Sequence, residues 1–186
     1  MLYHAIYLFI TALVLAFLEV QIEGKHGWAS KLPTWKPGEK WYARAYRKIM
    51  GGKELTGYHI GVFGIVLLFL HYPFFSGGLN WNATGELWVI STFFIFSAVW
   101  DYLWIIINPH YGVIKARPQK DVWWHNTWWG PFPADYYFAL LLSVGVLYPI
   151  WSQAVLREWG MMLGIFALGT IITLIITELI RGDIER

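Results

Sequence analysis

Long apolar stretches leave this chain few ways to fold. Residues 3–22, 58–76, 86–108, 134–153 and 157–181 are each rich in apolar side chains. Each approaches the ~20 residues needed to cross ~30 Å of hydrocarbon. Only 14% of the chain is charged, against about 25% in soluble domains. Thirteen Trp, eleven Tyr and twelve Phe are more than a soluble domain of this size can hide. In a bilayer the chains of these rings meet lipid, and Trp and Tyr favour the headgroup level. The expectation is an all-α polytopic membrane bundle of about five transmembrane helices, forming a single domain over residues 1–186.

Basic residues orient that bundle. Residues 24–57 hold eight of the fourteen Lys and Arg, residues 109–133 hold Lys115, Arg117 and Lys120, and the tail holds Arg181 and Arg186. With five spans, only Arg157 falls on the other side. Basic loops stay cytoplasmic, so the N-terminus is expected outside and the C-terminus inside. The first span lacks a basic n-region and an A-x-A cleavage pattern, and reads as a retained anchor. In a prokaryote the location would be the plasma membrane. No Cys is present, which excludes disulfides, thiolate metal sites and Cys nucleophiles.

The two long basic loops read as interfacial segments. Lys40, Trp41, Arg44, Arg47 and Lys48 alternate basic and aromatic character at helical spacing, with Tyr42, Tyr46, Ile49 and Met50 able to share one face. Such a helix suits anionic headgroups, and nucleic acid is not expected as a partner. Trp123, Trp124, Trp128 and Trp129 surround His125 in the second loop and suit a short interfacial or re-entrant segment. Gly160 and Gly164 form a small-xxx-small pair through which a second copy or a membrane partner can pack.

Polar side chains in membrane spans are costly and need a reason. The oriented topology brings most of them to one depth near the cytoplasm. Glu19, Glu23 and His26 are separated by four and three residues and share one face of the first helix. Two glutamates one turn apart in low dielectric share a proton, pair with a cation or bind metal. Glu23 and His26 also have the Glu-x-x-His spacing of dimetal bundles. The plain alternative is an acidic helix end reaching water beside Lys25. Ser97, Asp101, Trp104 and Asn108 form a second polar stripe. Asp101 there reads as a metal ligand, a proton carrier or a structural hydrogen-bonding group. His59 starts the second span, and His125 stands four residues from Asp121, a carboxylate able to orient it.

Glu19, Glu23, His26, His59, Asp101 and His125 are therefore the candidate metal ligands, with His110, Asn108, Asp135 and Glu178 as candidates for the surrounding shell. Oxygen and nitrogen donors without sulfur suit iron, zinc or manganese, and several carboxylates can hold two ions. The expectation is an integral membrane metalloprotein acting as an oxidoreductase or hydrolase on a lipid or other hydrophobic substrate. A non-catalytic subunit, or a haem- or quinone-binding electron carrier, is the alternative. For haem, His71 would need an imidazole at matching depth, and only His4 is available. The H-x-x-x-H boxes of membrane desaturases and the K-x6-R-P motif of phosphatidic-acid phosphatases are absent. Asn108-Pro109-His110-Tyr111 only faintly resembles the R-H-P-x-Y element of small membrane methyltransferases.

Overall fold

The computed structural model describes residues 2–111 and 122–184, without the side chains of 182–184. Among the described residues the chain is all-helical apart from one tiny hairpin. Six α-helices follow in order: α1 (Leu2–Glu23), α2 (Trp41–Ile49), α3 (Gly57–Phe75), α4 (Ala83–Ile107), α5 (Ala134–Val146) and α6 (Gln153–Ile184). Strands β1 (Trp128–Trp129) and β2 (Phe132–Pro133) lie between α4 and α5.

Four helices, α1, α3, α4 and the Gln153–Arg181 part of α6, are long and apolar enough to cross a membrane. These match four of the expected spans to within a few residues. The other, expected over 134–153, is shorter: α5 has 13 residues, and a 3-10 turn at Tyr148–Ile150 continues it. Pro149 occupies that turn and prevents the helix from running on.

Helix α4 is the centre of the bundle. Over its most apolar window 56% of residues are buried, against 28% for α1 and 11% for α6. It packs against α1, α3, α5 and α6, and α1 also packs on α6. Ser91 of α4, Ser143 of α5 and Trp159 of α6 meet in a buried polar staple: the hydroxyls lie 2.9 Å apart, and Trp159 Nε1 donates to Ser143 Oγ at 2.8 Å. Such groups join helices where water cannot satisfy them.

Within the chain, close helix packing at a glycine of α6 occurs at Gly169, where an added Cβ would sit 2.6 Å from the Phe9 ring of α1. A Cβ added at Gly160 or Gly164 would meet nothing within 4 Å, so that pair lies on an outer face of α6.

The connection after α1 is a left-handed hook. Gly24, Gly27, Trp28 and Ala29 all have positive φ, between 47° and 60°. Glycine tolerates this region freely, but Trp28 and Ala29 do not, so their conformation stores strain. The strain is offset locally, because Ala29 N–H donates to the Glu23 carboxylate. Gly27 has a further reason to lack a side chain: the Trp124 indole packs directly on it. Trp124 in turn meets Trp104 edge-on with centroids 5.2 Å apart, tying the second loop to α4.

The basic-aromatic stretch forms α2 as expected. Trp41 and Ile49 are exposed, while Tyr46 and Met50 pack on the core. The Trp-rich second loop becomes an antiparallel hairpin, with Trp128 opposite Pro133 and Trp129 opposite Phe132. Lys115, Arg117, Lys120 and Asp121 lie outside the described residues, as does Arg186.

Candidate functional site

Six of the expected polar residues line one cavity of about 450 Å³: Glu19, Glu23, His59, Asp101, His125 and Asp135. They come from α1, α3, α4, the second loop and α5, so the cavity exists only when these elements are packed. Its walls include Phe63, Phe94, Trp100 and Trp104, and Trp28, Met50 and Lys53 lie at its loop end.

One side of the cavity carries Glu19, Glu23 and His59. Each offers a ligand atom, and these atoms all lie within 4.8 Å of one another. Thr56 positions the imidazole. Its Oγ1 lies 2.7 Å from His59 Nδ1 and also accepts the His59 N–H at 3.2 Å, capping α3. With Nδ1 donating to Thr56, Nε2 presents a lone pair, the tautomer a metal requires. Trp28 stacks on the ring with centroids 4.2 Å apart. Glu19 Oε1 accepts from Tyr58 Oη at 3.2 Å, and Glu23 accepts from Ala29 N.

The other side is a chain of charged hydrogen bonds. His125 Nε2 lies 2.7 Å from Asp101 Oδ2, and its Nδ1 lies 3.2 Å from Asp135 Oδ2. Lys53 Nζ donates to the same Asp135 oxygen at 2.9 Å, and Tyr136 Oη donates to Asp101 Oδ2. Burial alone would push His125 down, but the Asp101 and Asp135 carboxylates outweigh it and hold the imidazole above its ordinary 6.5. Both ring nitrogens of His125 are thus committed to carboxylates. The expected orienting partner, Asp121, lies outside the described residues, and Asp101 and Asp135 take that role.

Other expected residues stand away from the cavity. His26 is in the hook and only partly buried, and its backbone carbonyl accepts from Ser30 and Trp123. His110 is exposed. Asn108 is buried beneath the hook, where Nδ2 donates to Gly24 O at 2.8 Å and Oδ1 accepts from His110 N at 3.0 Å. Glu178 pairs with Arg181 at 3.1 Å, and Arg181 donates to the carbonyls of Ile106 and Asn108. Asn108, Glu178 and Arg181 therefore brace the end of α4 without entering the cavity.

Near the other end of the bundle, His71 also spends both nitrogens, Nδ1 on Leu67 O at 2.7 Å and Nε2 on Glu86 at 3.2 Å. His4 lines a second cavity there, of which His71 is not a lining residue. Sequence reasoning missed Lys53, Thr56, Trp28 and Tyr136 as parts of the site. Lys53 looked like one more cytoplasmic charge, and the hydroxyls and rings carried no spacing signal.

No protein-family model matches the chain, and no curated protein or solved structure matches it either. Function therefore rests on the geometry alone.

Proposed function

We propose that this chain is a five-span membrane metalloprotein, N-terminus outside and C-terminus cytoplasmic, that holds a divalent first-row ion on Glu19, Glu23 and His59. The observation that carries this reading is the approach of those three ligand atoms to within 4.8 Å of one another. A tetrahedral site with bonds of ~2.1 Å has edges of ~3.4 Å, so a modest side-chain rotation closes the set. Charge supports it further. Four carboxylates, Glu19, Glu23, Asp101 and Asp135, face the cavity with Lys53 and His125 as their cationic partners. Glu19 and Glu23 stand one helical turn apart and repel each other in low dielectric, which a cation bound between them relieves.

Three protein ligands leave a position open for water, the arrangement of catalytic zinc and related sites. A bound ion lowers the pKa of such water towards neutrality. The Asp101–His125–Asp135 chain then stands ready to take or return a proton, and metal-assisted hydrolysis of a hydrophobic substrate is the chemistry this favours. Haem gains no such support: His71 commits both ring nitrogens, to Leu67 O and Glu86, and His125 commits both of its own to Asp135 and Asp101, which leaves His59 without a second available imidazole in its cavity.

Elemental analysis of the detergent-purified protein tests the reading. Iron, zinc or manganese near one equivalent is expected, with loss in Glu23→Gln and in His59→Ala. Metal-free protein after purification with added metal, or metal retained in both variants, would overturn it.

A further inference from the structure

We propose that the cavity is a slot for one uncharged single-chain amphiphile, which enters from the bilayer between α3 and α5 and brings its head to Glu19, Glu23 and His59. The placement of the head rests on the metal reading above; the slot itself does not.

The shape comes from the helix packing. Helices α3 and α5 both lean on α4, but they do not form a packed pair with each other. The strip of α4 between them is therefore open, and its floor is small, with Ser97 and Ala98. Along α4 the lining runs from Trp104 to Phe94, ten residues or ~15 Å at 1.5 Å each. Along α5 it runs from Asp135 through Ala139 to Leu142, or ~10 Å. The cavity thus extends lengthwise from a polar end into apolar depth. Phe138 and Leu142 at that apolar end are 54% and 52% exposed on the outer face, so the mouth opens sideways where lipid would lie.

Size suits an occupant of one chain. A space of about 450 Å³ lies in the range of pockets that enclose one small ligand. A two-chain phospholipid would have to leave its second chain outside, in the bilayer.

Charge and hydrogen bonding select the head. The polar end already gathers four carboxylates, so a further anion is repelled, while a cation would compete with the metal for them. A hydroxyl head adds no charge and can donate a hydrogen bond to a carboxylate oxygen of Glu19 or Glu23.

Tryptophan fluorescence provides the test, because Trp28, Trp100, Trp104 and Trp124 all line the cavity. Purified protein in detergent is titrated with bromoundecanol and with bromoundecanoate, whose bromine quenches nearby indoles, and the metal content of each sample is measured. Saturable quenching by the alcohol is expected, with the carboxylate about tenfold weaker or worse. Ala98→Phe and Ala139→Phe fill the slot at two helices and leave the polar end untouched. Each is expected to weaken the alcohol about tenfold while metal content is unchanged. Equal quenching by both probes, insensitive to whichever of these variants folds, overturns the slot. Metal-bound protein without saturable alcohol quenching also overturns it and leaves the metal reading standing. Saturable, variant-sensitive quenching in a metal-free protein keeps the slot and removes the metal.

Discussion

The indole of Trp28 stacks on the imidazole of His59 with centroids 4.2 Å apart, and the Lys53 ammonium sits 4.9 Å from the same indole. One side chain therefore couples the candidate metal ligands to the charged chain across the cavity. It does so from a backbone position with φ of 48°, which only the surrounding contacts can hold.

The hook supplies a paired prediction. Gly24 and Gly27 have φ near 60°, but a Cβ at Gly24 meets nothing within 4 Å, whereas one at Gly27 overlaps the Trp124 indole. Gly24→Ala is expected to cost only the left-handed penalty, ~1–2 kcal/mol. Gly27→Ala adds displacement of a buried Trp and should cost ~1–3 kcal/mol more. Thermal unfolding in detergent measures the difference, and equal shifts would contradict this packing.

Charge removal along the chain Lys53–Asp135–His125 should be asymmetric. The Lys53 side chain is 6% exposed and that of Asp135 is 58% exposed. Lys53→Met leaves Asp135 reachable by water, so a loss of about 1 kcal/mol is expected. Asp135→Asn strands a buried ammonium and removes one carboxylate from His125, a loss on the order of 3 kcal/mol. Unfolding of the two variants side by side checks the order.

Protonation of His125 should leave a pH signature. Its folded value lies above the ordinary 6.5, so the group stabilises the fold fully below about 6.5 and ceases to do so as pH rises through the elevated value. Chelator-treated protein should therefore lose melting temperature on the alkaline side of 6.5. His125→Gln, which cannot titrate, should flatten that decline, and an unchanged slope would refute the assignment.

Thr56 makes two bonds from one oxygen, to the ring and to the backbone of His59. Thr56→Val should cost ~1 kcal/mol through the lost cap. It should also weaken metal binding by about 10–100-fold, because the ring loses its orienting partner. Metal titration separates the second effect from the first.

The sequence made the four long apolar helices and the gathering of polar groups in one cavity legible for physical reasons. Apolar runs are local, and the four- and three-residue spacings of Glu19, Glu23 and His26 report a helix face directly. That spacing misled at His26, because α1 ends at Glu23 and the left-handed hook turns the next residues away. A helix face ends with the helix, and the Gly24 that ends this one was readable only in hindsight. Lys53 and Asp135 meet across 82 residues, a pairing that no local pattern encodes. The contact of Phe9 with Gly169 carried no spacing signal either, since the packing of α1 determines which face of α6 is inside.

The short α5 bears on the bilayer itself. Its 13 residues and the following 3-10 turn amount to about 25 Å, against ~30 Å of hydrocarbon. In the proposed five-span arrangement that shortfall is met by thinner lipid beside α5 or by flanking side chains that reach to the headgroups. The slot mouth at Phe138 and Leu142 opens on that same helix. A molecule entering there from the bilayer would have less depth of hydrocarbon to leave than beside a full-length span.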